Sequence, residues 1–156
     1  MMKATQLREL IIKPALQDLV MLSESAVELL IFTCAVESNG GSYLKQINGP
    51  ALGIYQMEPE DYNDIWQNYL ANNNRLLMML STNFEVNRMP SEDRLIYDLR
   101  FATAMARIHY ERISAPLPLA NDVDAIWAYY KQHYNTPSGA AVKDLSLYKY
   151  YAFIKT

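Results

Sequence analysis

The sequence predicts an all-α protein, or an α-helical protein with at most a minimal β-hairpin. Two observations lead to this prediction: apolar side chains recur at helical spacing along most of the chain, and Pro, Gly and Asn residues fall between these segments. The 156 residues, 51% hydrophobic and 20% charged, are enough to form one packed core. We therefore expect a single domain over 1–156, with an N-terminal packing helix over 1–22 and the main body over 24–156.

Two helices are predicted in the first quarter of the chain. The first covers about 5–22, where Pro14 predicts a break or kink. The second opens at Ser25, with Glu28 three residues later at the spacing of a capping box, and it is apolar nearly all round. We expect this second helix to lie at the centre of the core and to end at the Asn-Gly-Gly run 39–41, since these residues tolerate the left-handed conformation of a helix stop.

The rest of the chain alternates irregular stretches with further helical patterns. Residues 42–57 predict a small hairpin or an irregular loop. Pro59 suits the first position of a third helix, which is expected to reach about Leu80 with an interruption at 72–74. Later helices are expected from 91 or 93 to about 113, from 122 to about 133 with Asn121 as the cap, and over the segment that carries Leu145, Tyr148, Tyr151 and Phe153.

Charge and cysteine content exclude several classes of protein. The net charge of −3, with acidic and basic residues intermixed, provides no surface for nucleic acid or for an anionic membrane. Cys34 is the single cysteine, so no internal disulfide can form. The first 22 residues lack the pattern of a secretory signal, and no apolar run reaches the length of a membrane span. We expect a protein made in the cytoplasm without a signal peptide and without membrane insertion.

Glu37 is the residue whose position most needs an explanation. It lies at the end of the predicted central helix, directly before the glycine turn. Apolar surroundings and the negative end of the helix dipole both disfavour an ionised carboxylate, so both raise its pKa. A carboxylic acid that stays protonated near neutral pH can protonate the leaving oxygen of a glycosidic bond. The alternative is a solvated glutamate at a helix end.

A second motif decides between these alternatives. The pair Glu37-Ser38 with glycines nearby, followed by Gly53-Ile54-Tyr55-Gln56, resembles the first two motifs of the soluble-type lytic transglycosylases, which are related to goose-type lysozymes. The resemblance implies a lysozyme-like fold, a catalytic acid and base at Glu37, and a substrate groove along the Gly-x-x-Gln stretch. Ser38, Gly53, Tyr55 and Gln56 are then expected to bind substrate.

A third motif of the same family resembles the run from His133 to Thr136. The resemblance implies that Tyr134 hydrogen-bonds Glu37 and that Asn135 organises the turn, and both are expected at the substrate site. The run departs from the family pattern because His133 replaces a small residue and because Gly139 comes two residues later than expected. The resemblance covers roughly 26–151, so the region 24–156 is expected to be the catalytic core.

The number of catalytic carboxylates determines the expected reaction. Glu58, Glu60 and Asp61 are the other carboxylates near the predicted groove, and their place in the first turn of a helix explains them as favourable partners of the helix dipole. With Glu37 acting alone, the resemblance implies a lytic transglycosylase that cleaves the MurNAc-GlcNAc β-1,4 bond of peptidoglycan and forms 1,6-anhydromuramyl ends. A hydrolytic muramidase of the same fold is the alternative.

A hypothesis of another class is a non-catalytic structural or glycan-binding module with a lysozyme-like fold in a phage particle. The expected partners are the peptidoglycan glycan strand and other phage virion proteins, with access to the wall through a particle or at lysis. No cofactor and no metal are expected, because the two histidines, His109 and His133, form no ligand-spaced pair. Cys34 is expected to be a buried, inert thiol.

Overall fold

The computed structural model describes residues 1–156 and confirms an all-α fold. The stretch 42–57 has no β-strand, only isolated antiparallel bridges between Lys45 and Leu52 and between Leu52 and Met57. The helical segments, in order, are Ala4–Gln6, Leu7–Ile12, Lys13–Asp18, Glu24–Ser38, Pro59–Asp64, Ile65–Tyr69, Leu70–Asn72, Asn74–Phe84, Arg94–Tyr97, Leu99–Glu111, Val123–Tyr130, Lys131–Asn135 and Lys143–Ile154.

The central helix, Glu24–Ser38, is almost completely buried, as its uniformly apolar sequence predicts. The prediction that it opens at Ser25 is wrong: Ser23 is the N-cap, and its side chain accepts a hydrogen bond from the backbone N–H of Ala26 at 3.1 Å. The helix ends as expected, because Asn39 adopts the left-handed conformation with φ of 51°. This stop places Glu37 in the last turn of a buried helix.

The N-terminal helix is continuous through Pro14 and ends at Asp18, before the predicted boundary at 22. Its middle segment, Leu7–Ile12, is a π-helix that lies directly before the proline. Proline has no backbone N–H to donate into the preceding turn, and the wider turn of a π-helix accommodates such a defect. The predicted break is therefore a local change of helix type.

Two of the expected helices are each divided by a capping residue. Asn73 caps a separate helix, Asn74–Phe84, with its side chain accepting from the N–H of Leu76 at 3.1 Å. Asp98 separates Arg94–Tyr97 from Leu99–Glu111 and accepts from the N–H of Phe101 at 2.9 Å. In both places a short side chain that satisfies a free backbone donor stabilises a new helix start.

The last part of the chain contains the run Val123–Tyr130, which continues without interruption as a π-helix, Lys131–Asn135. Asp122, one residue beyond the predicted Asn121, is its cap and accepts from the N–H of Ala125 at 3.0 Å. This run and the C-terminal helix, Lys143–Ile154, both pack against the central helix.

Forty buried hydrophobic residues form one continuous core cluster, to which the N-terminal helix contributes Leu7, Ile12, Leu16 and Leu19. None of the helices combines the length and the apolarity that a bilayer crossing requires.

Candidate active site

A cleft of about 550 Å³ lies at the C-terminal end of the central helix. We call it the main cleft. Of the residues expected at a substrate site, Glu37, Gln56, Tyr134 and Asn135 line it. Residues that the sequence reasoning did not assign to a site line it as well; the polar ones among them are Gln46, Glu58, Asp61, His109 and Thr136.

Glu37 has the properties expected of a general acid. Burial raises the pKa of its carboxyl group to about 7, against an ordinary value of 4.5. A hydrogen bond from Tyr130 and the positive charge of Lys149 lower this pKa, whereas the negative charge of Glu58 raises it, and burial outweighs the two lowering effects. The carboxyl group therefore still holds its proton in about half of the molecules near neutral pH.

The tyrosine that contacts Glu37 is Tyr130, so the expectation that Tyr134 makes this bond is wrong. The hydroxyl of Tyr130 donates to Oε1 of Glu37 at 2.6 Å. The hydroxyl of Tyr134 donates to the backbone carbonyl of Tyr55, also at 2.6 Å. The two rings stack with their centroids 6.2 Å apart. Tyr130 therefore contacts the acid, and Tyr134 binds the loop that carries Gln56.

The loop that carries the Gly-x-x-Gln stretch brings one of its members into the main cleft. Gln56 lines the cleft, and its Nε2 donates to the carbonyl of Gly53 at 2.9 Å. Gly53 has φ of 78°, and a Cβ there would collide with the backbone carbonyl of Leu95, so only glycine fits. Tyr55 is buried, with its hydroxyl 2.9 Å from Oγ1 of Thr103. Gly53 and Tyr55 therefore shape the loop and do not line the cleft.

Ser38 is also a structural residue and does not line the main cleft. It is fully buried. Its hydroxyl donates to the carbonyl of Ile54 at 2.6 Å and accepts from the N–H of Gly41 at 2.9 Å. The serine next to the acid thus fastens the end of the central helix to the loop that carries Gln56.

His109 forms a neutral wall of the main cleft. Burial and the charge of Arg112 lower the pKa of its imidazole to about 4. One ring nitrogen, Nε2, lies 3.0 Å from the carbonyl oxygen of His133 and must donate to it. The other, Nδ1, lies 3.1 Å from Nη2 of Arg112 and must accept from it. Both nitrogens are therefore occupied within the protein, and the ring is not poised for proton transfer.

Asp61 is a half-buried carboxylate that also lines the main cleft. Burial raises the pKa of its carboxyl group, an effect that the charge of Arg112 opposes. Arg112 itself pairs with Asp64, 2.7 Å away. Glu58 and Asp61 line the same cleft as Asn135 and Thr136.

The segment 135–140 forms a rim of the main cleft, and one lysine holds it. Nζ of Lys131 donates to Oδ1 of Asn135 and to the carbonyl of Gly139, both at 2.8 Å. Thr136 has φ of 76° and ψ of 152°, a region that is nearly exclusive to glycine and costs a β-branched residue on the order of 1–3 kcal/mol. The two hydrogen bonds of Lys131 therefore stabilise a rim whose backbone is strained at Thr136.

Other chemistries have less support from the geometry. Cys34 is buried, and burial raises the pKa of its thiol to about 12, so it carries no thiolate at neutral pH. No three His, Cys, Asp or Glu side chains lie together in a group that could hold a metal ion. The chemistry of the site thus rests on carboxyl, amide and hydroxyl groups.

Comparisons with known protein families, characterised proteins and solved structures found no match to this chain.

Proposed function

We propose that this protein is a peptidoglycan lytic transglycosylase that cleaves the MurNAc-GlcNAc β-1,4 bond with Glu37 as its single acid and base. The observation that carries the proposal is a partly buried carboxyl group with a pKa of about 7, which accepts a hydrogen bond from Tyr130 at 2.6 Å in the wall of an open cleft. General acids work best when their pKa lies near the working pH, and Glu37 meets this condition.

The proposed reaction needs one proton donor that later accepts a proton. Glu37 protonates the glycosidic oxygen, and the bond from that oxygen to the anomeric carbon of MurNAc breaks. The carbonyl oxygen of the N-acetyl group stabilises the anomeric carbon. The Glu37 carboxylate then removes the proton of the C6 hydroxyl, whose oxygen bonds to the anomeric carbon. The product is a 1,6-anhydromuramyl end, no water is consumed, and Glu37 regains its proton.

The other polar groups of the main cleft support sugar binding. Gln56 and Asn135 both present amides, which can donate to and accept from hydroxyl and N-acetyl groups. The neutral ring of His109 and the ring of Tyr134, 4.7 Å apart between centroids, give the cleft an aromatic wall. Such walls suit the apolar faces of sugar rings.

A hydrolytic muramidase is a second candidate, because Glu58 and Asp61 line the same cleft as Glu37. Either carboxylate would serve as the base that activates water or as a nucleophile. In that case the product carries a reducing end instead of an anhydro end. The non-catalytic module in a phage particle is the third hypothesis, and association with a particle stays a prediction from the sequence.

One digestion experiment separates these candidates. Purified peptidoglycan is incubated with the wild-type protein, with Glu37→Gln, and with Glu60→Gln, which changes an exposed carboxylate outside the cleft. Mass spectrometry of the products is expected to detect anhydro ends for the wild type and for Glu60→Gln and none for Glu37→Gln. Reducing ends that disappear in Asp61→Asn or Glu58→Gln would indicate the muramidase. Inactivity of all variants, the wild type included, would refute both enzymatic readings.

A further inference from the structure

A second hollow, of about 220 Å³, is lined by Glu37 but not by Gln56. We call it the side cavity. Three residues line both the side cavity and the main cleft: Glu37, Asn135 and Ala140. The catalytic carboxyl group therefore lies at the junction of two hollows. A polymer that is cleaved at Glu37 must extend to both sides of it, so the side cavity is placed to receive a group close to the scissile bond.

The side cavity has a mainly apolar wall with one cation, and its other polar residues are Glu37, Asn135 and Ser146. Five of its wall residues are aliphatic, and Lys149 from the C-terminal helix provides the only positive charge. Glu37 is the only carboxylate in its wall. The aliphatic residues are Val36, Ala140, Ala141, Val142 and Leu145.

Lys149 makes no direct ion pair within the protein, although its charge acts on Glu37 from a greater distance. Its side chain is half-buried, yet no carboxylate oxygen lies within 4.0 Å of its ammonium group. The other lysine that leads into this helix, Lys143, pairs with Asp124 at 3.1 Å. Partial burial of an unpaired charge is unfavourable, and an incoming anion that pairs with it removes this cost.

An aliphatic wall with one free cation matches a carboxylate that carries small alkyl groups next to it. MurNAc differs from GlcNAc by a lactyl ether, which adds one methyl group and one carboxyl group. In peptidoglycan with stem peptides the lactyl group is joined to alanine, and the nearest free carboxylate belongs to the peptide. The free lactyl group places a methyl group and a carboxylate beside the sugar ring. The peptide-bearing form places the lactyl and alanine methyl groups there and carries its first free carboxylate farther out along the peptide, whereas GlcNAc has no lactyl group and no carboxylate.

We infer that the side cavity is a recognition site for the carboxylate-bearing substituent of the muramic acid at the scissile bond, with Lys149 as its charged contact. This inference rests on the proposed function. It makes Lys149 a specificity-determining residue, which distinguishes MurNAc-containing strands from uncharged polymers of GlcNAc.

The test measures binding without turnover, in the Glu37→Gln background. The probes are a GlcNAc-MurNAc tetrasaccharide with free lactyl carboxylates, the same tetrasaccharide with stem peptides, and chitotetraose, which has four GlcNAc units and no carboxylate. Titration calorimetry or NMR titration gives the Kd of each. Lys149→Met is expected to weaken binding of the carboxylated probes about tenfold or more, the size expected for the loss of one charge-assisted hydrogen bond, and to leave chitotetraose unchanged.

Two variants control for charge and for fold. Lys155→Met removes the same charge just past the end of the same helix, where the side chain is exposed and lies outside the side cavity, and it is expected to change no Kd. Lys149→Arg keeps the charge and is expected to retain most of the affinity. Thermal unfolding of each variant checks that the fold is intact.

The probes also identify the source of the carboxylate. Loss of affinity for the peptide-free tetrasaccharide alone assigns the lactyl carboxylate, and loss for the peptide-bearing one alone assigns the peptide. An equal Kd for Lys149→Met and its parent on every probe would overturn the inference while leaving the proposed function in place, and so would an equal loss on chitotetraose. Absence of both binding and cleavage by the wild-type protein would overturn the proposed function and this inference with it.

Discussion

Replacing Glu37 by Gln keeps the shape of the side chain and removes its ability to ionise, so this variant isolates the energetic cost of ionising a partly buried carboxyl group. The amide oxygen of Gln still accepts the hydroxyl of Tyr130, which lies 2.6 Å from Oε1 in the wild type. In the unfolded chain the carboxyl group titrates near its ordinary pKa of 4.5, and in the folded protein near 7. The folded state therefore binds more protons between these two values, and the wild-type protein loses stability as the pH rises through this window.

The size of the loss follows from the two pKa values. At 1.36 kcal/mol for each pH unit, the difference between 4.5 and about 7 corresponds to about 3 kcal/mol. We expect Glu37→Gln and the wild type to have equal stability, within about 0.5 kcal/mol, at pH 4. At pH 8 we expect the variant to be more stable by about 3 kcal/mol. Urea unfolding followed by the fluorescence of Trp66 and Trp127 at intervals from pH 4 to 8 measures this difference.

The exposed Glu60 supplies the matched control. Glu60→Gln removes the same charge without removing a buried carboxylate, and its stability relative to the wild type is expected to change by only a few tenths of a kcal/mol over the same pH range. The reasoning is refuted if the difference between Glu37→Gln and the wild type is independent of pH, or if the variant is the less stable protein at pH 8. A difference that does not change with pH would mean that Glu37 keeps its ordinary pKa in the folded protein.

Four further variants test the contacts around the acid. Tyr130→Phe removes a bond that lowers the pKa of Glu37, so the pH above which activity falls is expected to move upward from about 7, which a pH profile of peptidoglycan cleavage measures. Tyr134→Phe leaves a backbone carbonyl unpaired and is expected to cost about 1–3 kcal/mol in urea unfolding without moving that profile. Ser38→Ala leaves the buried carbonyl of Ile54 and the partly buried N–H of Gly41 unpaired and is expected to cost a similar or larger amount; a loss below about 0.5 kcal/mol would contradict the fastening role. Thr136→Gly relieves the strained φ of 76° and is expected to increase the free energy of unfolding by about 1 kcal/mol or more, which raises the midpoint of thermal unfolding. A lower midpoint would contradict the strain.

Helix ends that depend on local chemistry could be predicted from the sequence. Asn39 ends the central helix in the left-handed conformation, and Pro59 begins the next one, because both preferences belong to the residue itself. The start of the central helix could not be predicted in the same way. Glu28, which suggested a capping box with Ser25, instead accepts from Arg8 at 2.8 Å and from Tyr150 at 2.6 Å. These partners lie 20 and 122 residues away, so no local pattern contains them.

The candidate site was predictable at Glu37 and Gln56 and only in part elsewhere. A charged residue in an otherwise apolar helix is visible in the sequence, and the structure gives it the raised pKa that the sequence predicts. Asp61 and His109 were not assigned to the site because each has an ordinary local explanation, a helix dipole for the first and a buried face for the second. Only the packing of their helices brings both into the cleft that Glu37 lines.

Tyr130 and Tyr134 explain why motif spacing alone could not assign the contact with the acid. In an α-helix, residues four apart lie on one face, so both hydroxyls are directed to the same side of the helix. Here the turn that carries Tyr134 belongs to the π-helix Lys131–Asn135, whose wider turn shifts that tyrosine relative to Tyr130. The shift allows one helix to contact two walls of the cleft. Tyr130 donates to Glu37, and Tyr134 donates to the carbonyl of Tyr55, next to Gln56. Because the two bonds act on different walls, Tyr130→Phe is expected to change the pKa of Glu37, and Tyr134→Phe is expected to change the position of the loop that carries Gln56. If either variant changed both the pKa and the loop, the two walls would be shown to move together.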